Sequence, residues 1–191
     1  ILWIIKSGSV NQGTVTDAQG DDGGWVFVTK ALNQGSNDLM VCFVRDKLVP
    51  FGEVPPGLDF NITYDCAGDA ATGIVMFAER VSGMTRVGAS AIRQSAIQEN
   101  QASGGTPAPV FPAACLTGNP TLGCVGNATN PATMTPPVDW TELADDGHAL
   151  PERGAESVSR DSGFTGTTIT WGGTSPSAFG DIILELDTSA A

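Results

Sequence analysis

Residues 156–173 read ESVSRDSGFTGTTITWGG. Thr168 and Thr170 alternate with Ile169 and Trp171, so one face of the stretch is polar and the other apolar. A period of two is the pattern of an antiparallel strand with one wet face. The same stretch sets Ser159, Arg160, Asp161 and Ser162 side by side, a group that suits either a catalytic site or the end of a strand. A second place in the chain decides between the two.

Trp25 follows GDDGG and Trp140 follows TPPVD, a separation of 140 − 25 = 115. Arg45-Asp46 and Arg160-Asp161 are also 160 − 45 = 115 apart. After each Arg-Asp comes a stretch with an aromatic finish, FNITYD and TTITWGG, and then an apolar stretch that ends in acid, IVMFAERV and IILELDTS. Before each Trp comes another strand-like run, ILWIIKSG and TLGCVGNA. Five elements recur in the same order, which points to an internal duplication. The counterpart of SRDS is VRDK, which has no serine. The Arg-Asp pair is therefore read as a cross-strand ion pair or turn anchor.

Further strands are expected at WVFVTKA from Trp25, DLMVCFVRD from Asp38, WTELAD from Trp140 and GAESVSRD from Gly154. The 24 Gly and 12 Pro, spread throughout, supply turns between short strands. The expected fold is all-β, an antiparallel β-sandwich of jelly-roll type. One domain over 1–191 is built from related halves, about 1–85 and 119–191, joined by an 86–118 connector. Within the connector Ile92, Ala96 and Ile97 have helical spacing, so a short helix or ordered loop is expected over 89–103. ILWIIKS reads as a core strand, too short for a signal-peptide core and without a basic flank, and residues are expected ahead of it.

The 191 residues carry a formal net charge of −12, with 41% hydrophobic residues. That is apolar material enough for a core. An acidic surface repels phosphate backbones, and the 9 Lys and Arg are scattered, so neither nucleic acid nor a membrane surface is an expected partner. No run reaches the ~18–20 apolar residues of a membrane-spanning helix.

Catalytic patterns are weak. The single histidine, His148, lies in ADDGHAL, near Asp145 and Asp146, but no GxSxG elbow presents a serine to it. Glu79, Glu142, Glu156 and Glu185 are available as paired carboxylates, yet with 21 acids some pair always looks possible. There is no P-loop or GxGxxG. DAQGDDGG, from Asp17, has oxygen ligands at alternate positions, but Gln19 occupies the third and no distal Glu follows. It is read as a turn, with calcium the only metal worth testing. No other cofactor is expected. Asn61-Ile-Thr and Asn127-Ala-Thr are formal glycosylation sequons.

Cys115 and Cys124 flank LTGNPTLG, where an Asn-Pro turn would bring them together. A local disulfide is one expectation and buried free thiols the other. Cys42, in LMVCFV, is expected to be buried. Trp25 and Trp140, being repeated, are expected as core anchors. Trp171, beside GGTSPS, is the ring expected to be exposed and able to contact a glycan.

The segment TPPVDWTELADDG…GAESVSRDSGFTGTTITWGGTSPSAFGDIILELD, preceded by GNPTLGCVGNATNP, resembles a recurrent module of tailed-bacteriophage structural proteins. The likeness covers the second half well and the first loosely. It implies a non-enzymatic β-sandwich on the virion surface, as capsid decoration or tail component. Implied partners are other virion proteins, in an oligomer or lattice. The alternative is a carbohydrate-binding adhesin module of a tail fibre. Asp181 in FGDII departs from the pattern, in which that strand is apolar.

Overall fold

The structure, a computed structural model, describes residues 1–17, 24–34, 38–45, 61–66, 68, 71–129 and 134–189. Eleven strands are described: β1 Leu2–Ser7, β2 Thr14–Asp17, β3 Trp25–Gln34, β4 Asp38–Arg45, β5 Ile62–Asp65, β6 Gly73–Ala78, β7 Ile92–Asn100, β8 Thr121–Asn127, β9 Thr141–Ala149, β10 Glu152–Arg160 and β11 Phe179–Leu186. The only described helical element is a 3-10 turn at Gly88–Ala91. One sheet has the order β3-β4-β1-β6, the second β7-β11-β8-β10-β9, and β2 pairs with β5 alone. Every strand pairing is antiparallel.

The repeat in the sequence is a repeat in the fold. Replacing β1, β3, β4 and β6 by β8, β9, β10 and β11 converts the first strand order into the core of the second. The row Phe77–Trp3–Cys42–Thr29 of the first sheet has its image in Ile182–Cys124–Ser157–Ala144 of the second. One of the two irregularities of the β3–β4 ladder also has its counterpart. Cys42 pairs with Thr29 and Phe43 with Phe27, which leaves Val28 as an extra residue. Ser157 pairs with Ala144 and Val158 with Glu142, which leaves Leu143 extra. Adding 115 to each residue of the first bulge gives the second. A bulge fixes register, because a one-residue slip would turn every following side chain to the wrong face. Each sheet is thus filled mainly by one half of the chain, rather than by strands that alternate between sheets as in a jelly roll.

The two sheets pack face to face, with β3 over β7 and β11 and with β6 over β9 and β10. Their shared core includes Trp3, Met40 and Phe77 on one side and Leu122, Cys124 and Ile182 on the other. Equivalent rows have complementary sizes. Ile5 and Val75 of the first sheet answer to Gly126 and Gly180 of the second. A Cβ on Gly126 would lie 3.1 Å from the Ile5 side chain, and one on Gly180 would lie 3.1 Å from the Leu32 carbonyl. The repeat has become bulky on one side where it is bare on the other.

Each sheet is also covered on its outer face. In the first half the connections β1→β3 and β4→β6 pair with each other as β2 and β5, over Leu2, Ile4, Val41 and Phe43. In the second half the connections β8→β9 and β10→β11 meet at the Thr135–Gly172 bridge, over Val125, Val158 and Phe179. With both faces covered, all residues of β1, β8 and β11 are buried. Such strands read as continuous apolar runs rather than as alternation.

Two expectations are corrected. The helical spacing at 89–103 belongs to a strand. β7 adds to the free edge of β11, with Ile97 opposite Ile182 and Ala96 opposite Ile183, and tertiary pairing overrides the local helical pattern. Among the described residues it has no counterpart in the first sheet, where β6 is paired by β1 alone. TTITWGG, in turn, is not a regular strand. It runs beside the 105–115 segment, where the Trp171 and Ile169 N–H groups donate to the carbonyls of Pro107 and Pro109 at 3.0 and 3.1 Å. Those prolines have no N–H to return, so only isolated bridges form.

Candidate functional site

Trp25 and Trp140 occupy matching places, half-buried at the start of β3 and just before β9, each against the outer-face cluster of its own sheet. Trp25 stands opposite Arg45 in register. The Thr141–Ser159 pair, extended by one step, sets Trp140 opposite Arg160. In the first half this Trp-Arg pair closes on an acid of the cover. Asp17 Oδ2 accepts the Trp25 indole N–H at 2.9 Å and the Arg45 Nε–H at 2.8 Å. The Arg45 ion pair is largely buried, with 12% and 3% of the two side chains exposed.

The second half has no such acid. ITYD of β5 corresponds to ITWG at 169–172, so the Thr14–Asp65 pair corresponds to Thr135–Gly172. The shift is 135 − 14 = 121, the same shift that relates Trp3 to Cys124. Adding 121 to Asp17 gives Val138, whose side chain is 85% exposed. Where the first half holds a carboxylate, the second opens a groove of about 230 Å³, bounded by Val138, Trp140, Arg160, Phe164, Thr168 and Thr170, with Ile169 among its lining.

The groove is built by turns and packing. Trp140 N–H donates to the Pro137 carbonyl at 3.0 Å, and Asp139 has φ 67°, the positive value a type II turn needs at its third position. Trp140 and Phe164 pack edge to face, with centroids 5.7 Å apart. Arg160 donates from Nε to the Ser162 carbonyl at 3.1 Å, and its NH1 lies 3.8 Å from the exposed Asp139 carboxylate. Ile169 is buried while Thr168 and Thr170 are exposed. Among the described residues nothing accepts a hydrogen bond from the Trp140 indole. An aromatic wall beside hydroxyls and a guanidinium suits a ring with one apolar face and polar edges.

The anchor role of Arg160 holds toward Ser162, but its acid is Asp139 and not Asp161. Asp46, like most of DAQGDDGG, lies outside the described residues. Asp17 itself is committed to Trp25 and Arg45. No cluster of three or more metal-ligating side chains occurs among the described residues.

Trp171 is not exposed. It is 2% accessible, packed with Met134 and Val125, and its indole N–H donates to Asp181 Oδ2 at 2.7 Å. It is the image of Tyr64 in the cover, and a cover residue faces its sheet. Burial pushes the Asp181 carboxyl well above the usual range, against the pull of the Trp171 and Ile182 N–H groups. The acid that breaks an otherwise apolar strand is thus the acceptor for a buried indole.

Cys115 and Cys124 are not bridged; all four cysteines are free. Cys124 faces the core between the sheets with Leu122 and Ile182, while Cys115 lies beyond the outer face with Ile169 and Ile183. A strand of the sheet separates them, whatever their closeness in sequence. Burial pushes the Cys115 thiol up to about 12, with Glu185 adding to the effect.

The remaining candidates do not converge. His148 pairs with Arg153 and Ser159 with Thr141, six positions along the same ladder, which is about 20 Å. The His148 ring lies instead against Gly73, where a Cβ would come within 2.4 Å of it. Glu185 is fully buried. Burial pushes its carboxyl up, but hydrogen bonds from Leu116, Asn119, Arg93 and Gln94 outweigh that and hold it below the usual range. It fastens the 113–119 loop. Glu156 and Asp181 flank Val125 in one row of the second sheet, both fully buried and outside the groove. As groove residues, Val138, Phe164, Thr168 and Thr170 were missed by the sequence reading. The 115-residue echo placed Trp140 and Arg160 together but carried no signal for these residues, nor for the loss of the acid between the pair. Comparison with protein-family models, with curated proteins and with solved structures gives no match to this chain.

Proposed function

We propose that this chain is a non-enzymatic structural protein of a tailed-bacteriophage virion, carried on the outside of the capsid or tail. The observation that supports it is the covering of the central strands β1, β8 and β11 on both faces, which commits the interior to packing, together with the resemblance of the second half to phage structural modules. A net charge of −12 keeps such a part soluble and off packaged DNA. Its partners are other virion proteins, in an oligomer or lattice. Quantitative mass spectrometry of purified particles tests the reading. Hundreds of copies per particle indicate capsid decoration and a handful indicate a tail component; absence from the particle overturns it.

The groove favours a second reading, a carbohydrate-binding adhesin module that contacts the host surface. Its aromatic pair and threonine hydroxyls are the parts a sugar ring needs. Titration of Trp fluorescence with host-envelope glycans tests it. The quenching expected for the native protein is lost in Trp140→Ala.

A further inference from the structure

The groove has a template inside the same molecule. In the first half a tryptophan N–H and an arginine converge on one carboxylate, Asp17. In the second half the corresponding tryptophan and arginine, Trp140 and Arg160, line an open groove, and the corresponding residue is the exposed, uncharged Val138. The donors are kept, but among the described residues no acid is shared between them: Arg160 has only the exposed Asp139, 3.8 Å from its NH1, and nothing accepts from the Trp140 indole. A ligand carboxylate is a stronger partner for a guanidinium than a neutral hydroxyl is, because charged partners make the stronger hydrogen bonds.

We propose that the ligand of this groove is a carboxylated sugar, a hexuronate unit, whose carboxylate takes between Trp140 and Arg160 the place that Asp17 takes between Trp25 and Arg45. The pyranose ring then lies against Trp140 and Phe164, and its hydroxyls meet Thr168 and Thr170. The Arg160 Nε–H is used by Ser162 and NH1 lies near Asp139, so the carboxylate takes the guanidinium N–H groups that remain. Asp139 opposes an anion, but its side chain is 73% exposed and can swing into water. The overall negative charge opposes it too, though weakly in physiological salt, where fields between exposed charges fade over about 8 Å. The proposal rests on the glycan reading and specifies its chemistry.

The test compares two probes, trigalacturonate and its uncharged counterpart galactotriose, by calorimetry and by Trp fluorescence. Trigalacturonate is expected to bind at least about tenfold more tightly, as a charged hydrogen-bond pair implies. The preference should disappear in Arg160→Gln and shrink in Trp140→Phe, which keeps a ring but has no N–H. Near-ultraviolet circular dichroism confirms that each variant is folded. Equal binding of both probes overturns the carboxylate proposal and leaves the glycan reading standing. Binding of neither overturns both. An undiminished preference in Arg160→Gln places the carboxylate elsewhere and overturns the proposed site.

Discussion

Trp171 donates its indole N–H to Asp181 across 2.7 Å, between a cover segment and the strand beneath it, with both side chains shut off from water. The bond ties the β10→β11 connection to its own sheet. Removing the acceptor leaves a buried N–H unpaired, which costs about 1–3 kcal/mol. Asp181→Ala is expected to lose that much in chemical denaturation. Asp181→Asn, which keeps an acceptor, should lose less. Equal losses in the two variants would show that the hydrogen bond is not what holds the cover down.

Glu156 predicts how stability depends on pH. Its carboxyl is fully buried with no hydrogen-bond partner among the described residues, and burial, then Glu142 and Asp145, push it up to about 7. The folded state therefore binds this proton more tightly than the unfolded chain, where a Glu titrates near about 4.3. Its contribution is complete below the unfolded value and is lost as pH rises to about 7. Glu156→Gln removes the titration. It should flatten the stability profile between these limits and gain on the order of 1–3 kcal/mol at pH 8. Urea melts across that range, native against variant, give the answer.

Thiol labelling separates the cysteines. Cys42, Cys115 and Cys124 are buried and their thiols are pushed up by burial, whereas Cys66 is half-buried. The thiolate is the reactive form. A thiol-specific reagent should label Cys66 first in the native protein and all four residues in denaturant, and a reductant should leave the melting temperature unchanged. Finding only two reactive thiols in denaturant would restore the disulfide.

Much of the fold was legible because the repeat is rigid where it matters. The β3–β4 and β9–β10 hairpins keep one offset of 115 through strand, bulge and return strand, so Trp and Arg recur at the same spacing. Elsewhere the offset drifts to 121, 107 and 105, because connections of unequal length intervene. That hides the match between Asp17 and Val138. β7 was illegible for a different reason: its residues have helical spacing, and only the waiting edge of β11 makes them a strand. Trp171 misled because its neighbours GGTSPS are loop formers, and loop composition says nothing of a second layer that folds back onto a sheet. The cysteines misled because distance along the chain ignores which face of β8 a side chain takes.

That β6 has no outer neighbour among the described residues has a colloidal consequence. β6 reads GIVMFA, without a charge or a proline, and Ile74 and Met76 are 41% and 42% exposed along it. Other sheet edges carry charges, as β9 does with Glu142, Asp145 and Asp146, and such charges discourage strangers from pairing. What keeps two β6 edges apart is therefore the repulsion between whole molecules. That repulsion vanishes near the isoelectric point of about 4.2 and weakens in concentrated salt. Under those conditions light scattering should rise while the sandwich is still folded, and Met76→Lys, which puts a charge on the bare edge, should hold the solution clear.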